Sequence, residues 1–306
     1  MNAIEVENLT KTYGATIAVD CISLNVKRGE IFGMLGRNGA GKTTTIECII
    51  GLREYDKGFV EVLGLNPQKE QKTLFNRVGV QFQEASFQDK IKVSEICRLF
   101  ESFYKNPYPY KVLLDRFDLS EKTNSYVNNL SGGQRQRLSI VLALISNPEL
   151  VFLDELTTGL DPQARRLMWD YVRELREEGK TIFMTTHYME EAEYLCDRIC
   201  IIDNGKIIAL GSINEVINSC EIHNEITYES EQDSFCLLKD RIKQITDIKK
   251  EGNKYTVYGK DDCILGKLAY ILETEKIGYW NLDIKRPNLD DVFIKMTGRG
   301  IGESGE

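Results

Sequence analysis

The chain predicts an α/β fold: a large wound domain over residues 1–218, followed by a small α+β domain over 219–306. Three observations carry this. From residue 31 onward, short apolar runs alternate with helical patterns, as they do when strands and helices wind around one sheet. A glycine-rich octapeptide at 36–43 joins an apolar run to a helical one. Near 211–221 the rhythm breaks, and the remainder reads βαββαβ, the ferredoxin-like split order.

The elements follow in order. Val19, Ile22, Leu24 and Val26 mark strands in the first thirty residues, closed by the turn Lys27-Arg28-Gly29-Glu30 before the apolar run IFGML at 31–35. Val93, Ile96, Leu99, Phe100 and Phe103 recur at helical spacing and predict an apolar helix face, most of it core. Asp161-Pro162 is a helix start, a carboxylate cap followed by a proline whose missing N–H costs nothing there, and Gly179 is a stop. Asn204-Gly205 between RICIID and KIIAL is a hairpin turn. In the second domain, 222–228 predicts a strand, and Phe235, Leu238 and Ile242 share a helix face. Strands at 244–250 and 254–258 meet at Gly252-Asn253; Ile264, Leu268, Ile271 and Leu272 mark a helix, and 279–285 a last strand. A tail helix starts at Asn288 with Asp291 completing its cap and Phe293 and Met296 on its apolar side.

The bulk properties exclude several classes. Of 306 residues, 42% are hydrophobic and 28% charged, ordinary for a globular protein. The net charge of −8 divides evenly between the two domains, and neither is basic as a nucleic-acid binder would be. Eight cysteines form no CxxC pair and only two histidines accompany them, so buried free thiols are expected rather than a metal site. The N-terminus MNAIEVENLTK lacks the basic start and apolar core of a secretory signal. The longest apolar stretch, LSIVLALI at 138–145, is far short of the roughly 20 residues that cross a bilayer, so no span is expected.

Three motifs carry chemistry. Gly36-Arg37-Asn38-Gly39-Ala40-Gly41-Lys42-Thr43, continued by Thr44, is a full G-x-x-x-x-G-K-T between strand and helix. Glycines let the backbone wrap phosphate oxygens with N–H groups pointing inward; Lys42 reaches the β- and γ-phosphates, and the Thr43 hydroxyl can ligate magnesium. A nucleotide site follows. Leu130-Ser131-Gly132-Gly133-Gln134 places a serine cap and a box-closing glutamine at a helix start, with two glycines leaving backbone N–H groups uncovered. That makes a second anion-binding helix end. Leu150-Val151-Phe152-Leu153-Asp154-Glu155 is a buried strand ending in adjacent carboxylates, which is costly unless a cation faces them. Magnesium with a nucleotide phosphate supplies one: Asp154 for the metal, Glu155 for the attacking water.

With LSGGQ following a phosphate loop, the chain resembles the ATP-binding-cassette (ABC) ATPase family over about 1–218. The resemblance implies a P-loop NTPase with a RecA-like core, an antiparallel β subdomain and a helical subdomain at about 84–129. It implies further site residues: Gln83 as the metal- and water-sensing glutamine, with Gln81 the competing choice; His187 as the γ-phosphate switch; Asp161 in a loop crossing a dimer interface; and Tyr13 stacking on adenine. It also implies head-to-tail pairing, with Ser131, Gly132, Gly133 and Gln134 of one chain closing over ATP held by Lys42 of another. The partners are then a second copy or a related ATPase, and a separate membrane permease whose coupling helix the helical subdomain takes up, with no nucleic acid. The location is the cytoplasmic face of the membrane, or the cytosol when unassembled. The string HYMEEAEYLCDRICIIDNGKIIALGS and the tail PNLDDVFIKMTGRG resemble the exporter branch associated with drug and antibiotic resistance.

One departure stands out. The family has proline after the catalytic glutamate, where this chain has Leu156, restoring an N–H and freeing φ in a loop that should be rigid. Every charged group remains, so an active enzyme is expected rather than a regulatory subunit. Fewer than a hundred residues separate the first two motifs, which excludes the long coiled-coil arms of a chromosome-structuring ATPase. A single cassette argues against a translation factor of this family.

Overall fold

The computed structural model describes residues 1–82, 90–259 and 263–298. The chain divides into two units, Met1–Ile213 and Asn214–Gly300.

In the first unit, β1 (Asn2–Tyr13) and β2 (Thr16–Lys27) form a long antiparallel pair. β3 (Ile31–Leu35) leads into the glycine-rich loop and α1 (Lys42–Ile49), and β4 (Lys57–Val62) returns to pair with β1, giving the order β2-β1-β4. Val19, Ile22, Leu24 and Val26, the residues that marked strand in the sequence, are buried. A short α2 (Gln71–Leu74) precedes β5 (Val78–Gln81). Then come α3 (Val93–Ser102), α4 (Tyr110–Arg116) and α5 (Gly132–Leu144). The alternation closes with β6 (Leu150–Asp154), α6 (Pro162–Glu177), β7 (Thr181–Thr186), α7 (Met189–Leu195), β8 (Arg198–Asp203) and β9 (Lys206–Gly211).

The second sheet runs β5-β6-β7-β3-β8-β9, parallel except for β9. Every residue of β3, β6 and β7 is buried, as expected of strands covered on both faces. Phe32, Phe152 and Phe183 from these three strands pack with ring centroids 5.5–5.6 Å apart. The register decides where chemistry can occur: Leu35 lies opposite Thr186, and Asp154 opposite Thr185. The segments after β3, β6 and β7 therefore emerge at one carboxyl edge of the sheet, the usual ligand side of a wound α/β fold. The β8–β9 hairpin turns at Asn204 (φ 46°) and Gly205 (φ 77°), the paired positive φ that its two-residue loop requires.

Two expectations change on α3 and among the thiols. Val93 and Ile96 are buried with Cys97, but Leu99 is 47% and Phe103 62% exposed, so much of the predicted apolar face is open rather than core. Cys48, Cys97, Cys196, Cys200 and Cys220 are buried free thiols, whereas Cys21 and Cys263 are exposed.

The helix α8 (Ile213–Ser219) crosses the division and belongs mostly to the second unit. There β10 (Asn224–Glu229), α9 (Phe235–Arg241), β11 (Ile245–Glu251), β12 (Lys254–Gly259), α10 (Ile264–Thr274) and β13 (Trp280–Lys285) make an antiparallel sheet ordered β11-β12-β10-β13. That is the split βαββαβ arrangement. Ile226, Tyr228, Tyr255 and Val257 from the sheet pack with Leu238, Ile242, Leu268 and Leu272 from the helices. In α11 (Leu289–Thr297) the Asn288 side chain accepts from the Asp291 N–H at 2.9 Å, and the Asp291 carboxylate accepts from the Asn288 N–H at 3.2 Å, closing the predicted cap. Its buried side is Leu289, Val292 and Phe293, while Met296 turns outward.

Candidate active site

The glycines of the phosphate loop are fixed by close approach. A Cβ on Gly36 would stand 2.5 Å from the Ile202 carbonyl oxygen; one on Gly41, at φ 105°, would stand 2.3 Å from that of Ala18. Gly39 is open but holds φ 80°. Only glycine satisfies both demands at Gly41. Arg37, Asn38 and Ala40 complete the loop, and Lys42, Thr43 and Thr44 begin α1.

At the carboxyl edge of the sheet, five predicted residues come together. Lys42 is buried and its Nζ lies 3.1 Å from Glu155 Oε1, while donating to the carbonyls of Gly36 at 2.9 Å and Arg37 at 3.1 Å. Thr43 Oγ1 donates to Asp154 Oδ2 at 3.1 Å. His187 Nδ1 lies 3.4 Å from Glu155 Oε2. The His187 imidazole beside it, together with the Lys42 charge, holds the buried Glu155 carboxyl down at about 2, against its burial. Its neighbour Asp154 is shifted upward, chiefly by burial, with the hydroxyls of Thr185 and Thr43 opposing. Two adjacent carboxyls thus sit in opposed environments, one held charged and the other pushed toward its neutral form.

Hydroxyl and carboxylate oxygens side by side are the donors magnesium takes when phosphates and water complete its shell. Among the described residues no three His, Cys, Asp or Glu side chains gather as a ready-made metal cage. Thr43 and Asp154 fit a hard cation that arrives with phosphate. Gln83, the third predicted ligand, lies outside the described residues. Gln81 is buried, its amide donating to the Phe82 carbonyl at 2.6 Å.

A second group forms around the other helix end. Ser131 caps α5: its hydroxyl accepts from the Gln134 N–H at 3.3 Å, and Gln134 Oε1 accepts from the Ser131 N–H at 3.0 Å. Asp161 caps α6, accepting from the N–H groups of Gln163 at 3.0 Å and Ala164 at 2.9 Å. Ser131, Gly132, Gly133, Gln134 and Asp161 share a cleft of about 270 Å³. Tyr13 is half exposed at the end of β1, with Lys11 and Arg53 each 5.4 Å from its ring centroid.

Sequence reasoning missed Thr185, whose hydroxyl bonds Asp154 Oδ1 and accepts from the Glu155 N–H at 3.1 Å. Its signal was slight: one of three threonines in the fully buried strand TIFMTT. Leu156 is fully buried, and the loop after it is tied by Thr158 N–H to the Glu155 carbonyl at 3.2 Å.

A glycine-cradled lysine beside a charged carboxylate and a histidine, at the carboxyl edge of a parallel sheet, defines a P-loop ATPase. A family model described as ABC transporter matches residues 19–158. The Nod factor export ATP-binding protein I of Ralstonia nicotianae is 37% identical over 303 residues, covering 97% of this chain and 94% of that protein. The solved ATP-binding subunit of an ABC transporter superposes with a TM-score of 0.66 at 29% identity, over 71% of this chain and 92% of that one. A dimeric bacterial ABC transporter cassette gives 0.62 at 27% identity, over 68% and 98%. The chain belongs to the ABC transporter family, as the ATP-hydrolysing motor subunit.

Among the described residues no helix is long and apolar enough to cross a membrane.

Proposed function

We propose that the protein works as one half of a head-to-tail pair that closes on magnesium–ATP and drives export through a separate permease. The observation that carries the pairing is the open helix end at Gly132 and Gly133. A Cβ at Gly132 would meet nothing within 4 Å, and one at Gly133 only ordinary contacts. Among the described residues no packing demands these glycines, so their open N–H groups suit phosphates held by another chain. That chain is a second copy or a related ATPase.

Within each composite site, Tyr13 stacks on adenine, and Lys42 exchanges its contact with Glu155 for the β- and γ-phosphates. Thr43, Asp154 and Gln83 would hold magnesium, which would supply positive charge against the phosphates. Released from Lys42, Glu155 orients the attacking water and accepts its proton. His187, 3.4 Å away, keeps that carboxylate in place and faces the γ-phosphate. Asp161 meets the partner across the interface. The exposed Leu99 and Phe103 on α3 supply an apolar surface for a permease at the cytoplasmic side of the membrane. Export is supported by the Nod factor export relatives, which align along nearly their whole length. Residues 219–306 act as an accessory domain that steadies the pair.

The pairing is tested by sedimentation of Glu155→Gln, which binds ATP without turning it over. It should be monomeric without nucleotide and dimeric with magnesium–ATP, and Ser131→Arg in the same background should abolish the dimer. A Glu155→Gln chain that binds ATP and stays monomeric contradicts the reading.

A further inference from the structure

Glu191 on α7 has no part in the chemistry above, yet it is fully buried. Burying a carboxyl is costly unless its oxygens are hydrogen-bonded. Glu191 Oε1 accepts twice, from Thr157 Oγ1 at 2.8 Å and from Trp169 Nε1 at 2.9 Å. Thr157 lies two residues beyond Glu155, in the loop leading to Asp161, and Trp169 lies on α6, the helix Asp161 caps. Glu191 itself follows His187 by four residues. Thr186, Arg165 and the buried Cys196 thiol also lie near the carboxyl, and burial dominates its upward shift. The Arg165 guanidinium in turn lies over the Tyr188 ring, 4.2 Å from its centroid. One oxygen atom thus joins the loop after Glu155, helix α6 and the segment carrying His187.

The loop needs such a tie. Glu155 holds φ 49°, and Leu156 has no ring to fix its own φ. A fully buried polar trio is a poor device for stability alone, since apolar side chains of like volume stabilise as well. Directional bonds from two elements to one acceptor set their relative placement.

We propose that Glu191 is a positioning residue for ATP hydrolysis, tying the loop that carries Glu155 and Asp161 to the segment that carries His187, so that the two stay in register. This rests on the roles given above to Glu155 and His187.

The test uses the full chain, measuring steady-state hydrolysis, affinity for a fluorescent ATP analogue, and Tm. Thr157→Val removes one donor with little change of volume; Trp169→Phe removes the other together with one ring of the indole, and the Tm reading separates that cavity from the lost bond. Each should lower kcat by about 10- to 100-fold, the cost of an ångström-scale misplacement. KM and analogue affinity should stay within about threefold, because ground-state binding is untouched. Glu191→Ala should lose at least as much, and Glu191→Gln, which keeps an acceptor oxygen, should recover most of it. Unchanged kcat in both donor variants overturns the proposal. So does Glu191→Gln as impaired as Glu191→Ala, or kcat that falls only in step with Tm. Glu155→Gln and His187→Ala run alongside. If neither slows hydrolysis, the reading of the site fails; if they do and the Glu191 series does not, this inference alone fails.

Discussion

A methyl group at Gly41 would stand 2.3 Å from the Ala18 carbonyl oxygen on a backbone at φ 105°, whereas one at Gly132 would touch nothing. The two glycines therefore answer to different demands. Gly41→Ala should lower Tm and abolish ATP binding, because backbone must move in the phosphate loop. Gly132→Ala, at the first turn of α5, should leave stability unchanged or raise it by about 0.4–1 kcal/mol, with no loss of Tm, while weakening the ATP-dependent dimer. Thermal melts and nucleotide titrations of the two variants check this; equal loss of Tm in both contradicts it. The same scale shows what a sequence can disclose. Lys42, Asp154 and Glu155 were readable because each belongs to a motif of fixed spacing, and His187 only through the family resemblance. Thr185 and Glu191 were not: they act through partners 31 and 34 residues away, a proximity set by strand register and helix packing rather than by local pattern.

Elements were legible where a local rule dictates them. The capping boxes at Ser131 and Asn288, the Asp161 cap and the Asn204-Gly205 turn all follow from one or two residues. The α3 face was legible as a face but not as buried or open, because periodicity does not say whether a neighbour covers it. Ties between elements lay beyond the sequence altogether. Glu149, just before β6, accepts from Arg77 Nε at 2.7 Å, ahead of β5, and from Arg28 at 2.8 Å, in the turn before β3. The Arg77 hydrogen bond, followed by that of Arg28, brings its carboxyl down to about 2. A depressed carboxylate stabilises the fold above its unfolded value of 4.5, and the contribution is lost as pH falls toward 2. Its half-exposed setting keeps the effect modest. Glu149→Gln should thus lower Tm at pH 7, and the difference from wild type should shrink steadily below pH 4.5. A difference independent of pH down to pH 3 would contradict the assignment.

For the whole molecule, the sheet order β5-β6-β7-β3-β8-β9 is what brings three separate strand ends to one site. Strands β6, β7 and β3 are neighbours in space though far apart in the chain, so their ends deliver Glu155, His187 and Lys42 to a single edge. All of these residues lie in the unit Met1–Ile213. The account stands on Glu155 as the base of ATP hydrolysis, and the most direct measurement is the hydrolysis rate of Glu155→Gln against wild type at saturating magnesium–ATP. The rate should fall by about 100-fold or more, the usual worth of a general base, with ATP affinity retained. Equal rates would contradict it.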